Sequence, residues 1–261
     1  MRLSTRYGEP MIEPTTYAAL TATAVLTGFI DAIAGGGGLI MMPALLFAGV
    51  PPINALATNK LQSMFGTSMA CWNYARKGLV DWRRHKGTIA LIFAGAGAGA
   101  ATVQAIDGRA LALVIPLLLL AVAFYVLLSP RMSDDDAHHR LSQRGYAPLA
   151  TAIGAYDGFF GPGTGSFFTA TLVGLRGHGL TRATAVTKLF NLASNVASVL
   201  LFAIGGKMLW LVGLCMAVGA IAGGWIGSHT AMRFGAAIIR PLLITLSLAL
   251  TARLLWSYFA G

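Results

Sequence analysis

Two carboxylates, Asp31 and Asp157, stand inside apolar sequence, and each has a lysine at a matching distance downstream. Lys60 lies 29 residues after Asp31, and Lys188 lies 31 residues after Asp157. Ionisable side chains in apolar segments are costly and mark ion or substrate pathways in membranes. A carboxylate there can carry a coupling proton. It can equally brace a helix end, or pair with the lysine of its own segment. The ammonium groups can hold an anion, or reach out to the membrane boundary along their own stems.

A glycine-rich break follows each aspartate by four residues. The first is Gly35, Gly36, Gly37 and Gly38; the second is Gly161, Pro162, Gly163, Thr164 and Gly165, with Ser166 next. Each glycine weakens a helix by about 1 kcal/mol relative to alanine, and proline removes a donor. Each break is therefore read as an elbow between two short helices, 17–34 and 39–49 in the first copy, 147–160 and 165–175 in the second. Non-helical backbone at membrane depth is tolerated only where it is buried in protein or lines a cavity. The helix leaving an elbow presents free N–H groups and the positive end of its dipole, which favour an anion. Gly36, Gly37, Gly38, Gly163, Thr164, Gly165 and Ser166 are the candidate contacts of a small anion held between two such helix starts.

The lysines begin polar stripes at helical spacing. Asn59, Lys60, Ser63 and Thr67 form one; Thr187, Lys188, Asn191 and Asn195 form the other, with Gln62 an extra polar group in the first. Steps of three and four residues share one helix face. Such a stripe is either interhelical hydrogen bonding that glues a bundle or the lining of a substrate pocket. Duplication in register favours the pocket, and these eight residues complete its candidate lining. Asp31 and Asp157 are the candidate coupling residues.

The elements that must position these groups are membrane helices. The chain is 56% hydrophobic and 11% charged, with mean hydropathy +0.69, against about 25% charged in soluble domains. Stretches 54–76, 87–106, 110–128, 183–205, 209–230 and 241–259 each approach the ~20 residues of a span. The expectation is an all-α integral membrane protein forming one transporter domain over 1–261. Repeat one is about 17–128, a polar loop 129–146 follows, and repeat two is about 147–259. With each elbow pair returning to its own side, twelve loop Lys and Arg fall on one side and four (Arg2, Arg6, Arg109, Lys207) on the other. The basic side is cytoplasmic. Both termini are then outside, loop 129–146 is cytoplasmic, and three full spans per repeat invert the second copy relative to the first. If the broken segments cross as short spans, only the helix count changes.

Other chemistries are excluded or weakly supported. The net charge of +10 reflects loop topology and needs no nucleic-acid partner. There is no G-x-x-x-x-G-K-[ST] loop for nucleotide hydrolysis and no His/Cys/acid spacing for a metal, so neither an enzyme nor a cofactor is expected. Cys71 and Cys215 read as packing residues in helices. Residues 1–16 lack the pattern of a cleavable signal, so the first apolar segment is expected to serve as an uncleaved one.

The stretches FIDAIAGGGGLIMMPALLFAGVPPINALATNKLQSMFGT and DGFFGPGTGSFFTATLV…TRATAVTKLFNLASN resemble the two repeat signatures of the TauE/SafE sulfite exporter family, also called the 4-toluene sulfonate uptake permeases. The Trp82 and Trp210 turns are similar as well, and the resemblance spans about 17–259. Met41 and Met42 depart from the expected Val or Thr. The resemblance implies a multi-pass inner-membrane transporter of sulfite, a sulfonate or a related sulfur-containing anion. The expected function is secondary transport of a small anion by alternating access, with proton coupling as a subsidiary expectation. Its partners are that anion and the bilayer, with a homodimer to be considered. An anion channel and a non-transporting accessory protein are the alternatives.

Overall fold

The computed structural model describes residues 5–6, 9–10, 13–128 and 140–235. Apart from a two-residue antiparallel ladder, β1 (Thr5–Arg6) with β2 (Glu9–Pro10), the described residues are helical. The helices are α1 (Pro14–Ala34), α2 (Gly38–Phe47), α3 (Pro52–Arg76), α4 (Trp82–Gln104), α5 (Gly108–Leu128), α6 (Gln143–Phe159), α7 (Thr164–Arg176), α8 (Leu180–Ile204) and α9 (Trp210–Phe234). Among them α1, α4, α8 and α9 are long and apolar enough to cross a membrane. The expected span 241–259, with Arg253, lies outside the described residues.

Helix ends follow local chemistry. Pro14 and Pro52 open α1 and α3, where the missing N–H has no intrahelical partner to lose. The Asp81 carboxylate caps α4 by accepting from the amides of Arg83 and Arg84 at 3.0 and 3.2 Å. Ser142 caps α6 through the Gly145 amide at 3.1 Å. These caps move three boundaries. Helix α1 is a 21-residue, span-length helix, so the first segment is no half-helix. Helix α4 starts at Trp82, and its first turn carries basic residues expected in a loop. Helix α6 starts at Gln143, which shortens the expected loop 129–146 from its C-terminal end. Helices α2 and α7 remain short, at 10 and 13 residues.

The two halves clasp each other by exchange. Helix α9 packs along α1, and α4 packs along α6. Both seams are made of small residues. A Cβ on Gly219 or Gly223 of α9 would overlap the Thr21 or Val25 carbonyl of α1; one on Gly158 of α6 would overlap the Ala96 carbonyl of α4. Small residues let backbones approach in this way, which drives helix association in lipid. Helices α3 and α8 pack against each other at the centre; α3 also meets α9, and α8 also meets α4. The packing of one half is thus reproduced in the other with equivalent helices exchanged.

Helices α2 and α5 complete the core. Met41, Met42 and Leu45 of α2 are fully buried, so the two methionines serve packing. Leu111, Ile115, Leu119 and Val122 form a buried stripe on α5, and Val122 presses against Gly163 of the second elbow.

Candidate functional site

The elbows meet. A Cβ on Gly35 would overlap Gly165, and one on Gly165 would overlap Gly35. A Cβ on Gly38 would stand 3.1 Å from the Pro162 Cα. Gly35 turns out of α1 at φ 76°, and Gly161 and Gly163 carry φ 98° and 84°, values other residues rarely adopt. The second elbow is tied down by Thr164 Oγ1, donating to the Gly161 carbonyl at 2.7 Å, and by Tyr156 Oη, donating to the Pro162 carbonyl at 2.8 Å. Ser166 Oγ reaches across to the Ala34 carbonyl at 3.2 Å, so α7 caps the end of α1.

The ion pairs also cross. Lys60 on α3 donates to Asp157 Oδ1 at 2.6 Å and to Asn195 Oδ1 at 3.3 Å. Ser194 donates to the other oxygen of Asp157. Lys188 on α8 donates to Asp31 Oδ2 at 3.1 Å and to the Asp31 carbonyl. Each aspartate thus pairs with the lysine of the other half, and the expected option of a partner within its own segment is not the one taken. The lysines are 3% and 0% exposed, which rules out snorkelling to a boundary. The pairs differ in closure. The Asp157 side chain is 5% exposed and that of Asp31 is 23% exposed.

A cavity lies at this crossing. Gly38, Asn59, Lys60, Ser63, Thr164, Gly165, Asn191 and Asn195, with both aspartates, are the expected residues on its wall; Gly35 and Gly161 join them. About 30 Å³ admits the centre of a water-sized molecule, against the ~10–15 Å³ that one ordered water needs. An occupant of a few atoms fits without rearrangement. Among the described residues, no backbone carbonyl accepts from the amides of Gly38 and Gly165, which lie in the first turns of α2 and α7. The Asn191 Oδ1 is buried without a hydrogen-bond partner.

The remaining expected residues lie close by. Gly37 and Thr67 line a second, smaller chamber that shares Asp31 and Ser63 with the first, and Thr67 accepts from Asn195 Nδ2 at 3.5 Å. Gly36, Gly163, Ser166, Thr187 and Lys188 line neither. Thr187 Oγ1 lies 3.0 Å from Thr169 Oγ1 on α7, and Lys188 stands behind Asp31. Ser194 is the residue that sequence reasoning missed. It lies three residues after Asn191 on the same stripe, a spacing that marks it.

The electrostatics of the cavity are mixed. Lys60 and two carboxylates stand on its wall, with Lys188 behind Asp31, so the formal charges cancel. The helix dipoles oppose one another here, since the positive starts of α2 and α7 stand beside the negative ends of α1 and α6.

A family model described as sulfite exporter TauE/SafE matches residues 20–254. A probable membrane transporter protein, ORF9, of Sinorhizobium sp is 46% identical over 239 residues, covering 91% of this chain and 92% of the relative. The probable membrane transporter protein YfcA of Escherichia coli K12 is 40% identical over 247 residues, covering 94% and 92%. A probable membrane transporter protein of Haemophilus influenzae is 41% identical over 240 residues, covering 92% and 94%. No solved structure matches the chain.

Proposed function

Since this chain belongs to the TauE/SafE sulfite exporter family of membrane transporters, we propose that it moves a small oxyanion, sulfite or a short sulfonate, through the cavity between its two elbows. The observation that carries this reading is the meeting of Gly35 with Gly165 beside two unpartnered amides. Those amides, with Lys60, Ser63 and Asn191, form the binding set. Asn191 bonds the anion through its Nδ2. The cavity volume favours sulfite-sized occupants over aryl sulfonates, which need the surrounding helices to part.

The exchanged packing of α1 with α9 and of α6 with α4 supports repeats of inverted topology. On this reading the protein sits in the inner membrane with both termini outside. Each ion pair latches the helix before one elbow to the polar helix of the other half. An anion reaching Lys60 competes with Asp157 for it and loosens one latch. The Asp31–Lys188 latch holds meanwhile. Alternation between the two latches exposes the cavity to one side and then the other. Asp31 and Asp157 are the coupling residues, because taking up a cation, a proton in the simplest case, releases the partner lysine.

The test is counterflow in liposomes holding the purified protein. Sulfite trapped inside should accelerate uptake of labelled sulfite, with saturation and without current unlinked to exchange. Non-saturating conductance would identify a channel, and no flux of any small oxyanion would identify an accessory protein. An imposed pH gradient that leaves uptake unchanged removes the proton.

A further inference from the structure

The second chamber, beside the central cavity, collects oxygen atoms. Thr27, Asp31, Gln62, Ser63 and Thr67 line it. Gln62 is 3% exposed, and its Oε1 has no hydrogen-bond partner. Its Nε2 is committed to Asn59 Oδ1 and Ser63 Oγ, each at 3.0 Å, and this orients Oε1. Thr27 spends its proton on the Ala24 carbonyl at 3.3 Å, which leaves its oxygen lone pairs available. Thr67 accepts only the long bond from Asn195. The chamber thus presents one orphaned amide oxygen beside hydroxyl oxygens and one carboxylate that Lys188 pairs with.

A buried acceptor without a donor costs about 1–3 kcal/mol, and Gln62 Oε1 is one on this wall. A positively charged or proton-donating occupant relieves it. About 10 Å³ is open to the centre of such an occupant, which is room for one. Oxygen-only ligation selects a hard cation. A single, already paired carboxylate supplies too little charge for a divalent ion, which takes several carboxylates or keeps its own waters. Asp31 also lies in the last turn of α1, whose C-terminal end is the negative end of its dipole. Gly37, at the start of α2, opposes this from the wall.

We propose that this chamber binds one sodium ion, held by Thr27, Asp31, Gln62, Ser63 and Thr67. The ion draws Asp31 toward itself and away from Lys188. Asp31 and Ser63 belong to both chambers, so sodium occupancy is felt in the central cavity. Cation binding does not depend on the anion reading; only its coupling role does.

The experiment measures thermal unfolding of the purified full chain in NaCl, KCl and choline chloride at equal ionic strength, without substrate. Sodium should raise Tm in proportion to the logarithm of its concentration above saturation, with potassium and choline without effect. Thr27→Val and Gln62→Met should abolish the sodium shift. Thr27→Val should keep any stabilisation by sulfite measured in choline. Equal Tm in the three salts overturns the proposal and assigns the chamber to water. A sodium shift that survives both substitutions overturns it too. Loss of sulfite stabilisation from the wild type, with the sodium shift intact, overturns the anion reading instead.

Discussion

Lys60 and Asp157 lie 97 residues apart in the chain, and their charged atoms stand 2.6 Å apart in the middle of the bundle. Both are almost wholly buried, and Ser194 and Asn195 complete the cluster. With Lys188 and Asp31 arranged in the reverse sense, each half of the molecule supplies the counter-ion of the other.

Removing one partner of the buried pair leaves a charge without compensation, at a cost of about 3–5 kcal/mol. Lys60→Ala and Asp157→Ala should each lower Tm sharply in purified protein. The double variant should recover part of the loss. Additive losses in the double variant would mean that the two charges are not coupled.

The second pair is held less tightly. The Asp31 side chain is partly exposed, and Lys188 also donates to the Asp31 backbone carbonyl. Asp31→Asn should therefore cost less stability than Asp157→Asn, because the Asp31 side chain is the less buried of the two. Tm values of the two variants, measured side by side, check the order.

The elbow contact admits no side chain. Gly35→Ala and Gly165→Ala each place a methyl inside the opposite backbone, and both should lose most folded protein in size-exclusion profiles. Gly174→Ala, in helix α7 with open space at its Cβ position, should be neutral or stabilising by up to about 1 kcal/mol. Equal behaviour of all three would remove the elbow contact.

The elements of this site were legible in sequence, and their pairing was not. Glycines and charges inside apolar runs are local signals, so Asp31, Gly38, Lys60 and Asn191 could be singled out from spacing alone. Which lysine meets which aspartate depends on how α3 and α8 cross, and no local pattern encodes that. The length of α1 was hidden because Pro14, Thr15 and Thr16 look like a loop until Pro14 is seen at the first helical position. The early starts of α4 and α6 were hidden likewise, since Arg83, Arg84, Gln143 and Arg144 are polar residues inside helices capped by Asp81 and Ser142. Thr187 and Lys188 share the stripe with Asn191, yet α7 covers Thr187 and Asp31 covers Lys188.

The small-residue seams carry the helix exchange. Gly223→Leu on α9 and Gly158→Leu on α6 force apart α1–α9 and α4–α6, where a Cβ already overlaps a carbonyl. Each should abolish a folded, monodisperse protein in detergent. Gly97→Ala, whose nearest neighbour is the Leu201 side chain at 3.8 Å, should be tolerated. Expression and size-exclusion chromatography give the comparison.

Binding of sulfite to the purified protein, titrated calorimetrically in wild type, Ser63→Ala and Asn191→Ala, tests the anion site most directly. Neither side chain supports another element, since Asn191 Oδ1 has no partner and Ser63 Oγ accepts only from its neighbour Gln62. The account predicts saturable binding of one anion per chain in the wild type. In each variant it predicts weakening of about tenfold, or ~1.4 kcal/mol, at unchanged Tm. Undiminished affinity in both variants would contradict it.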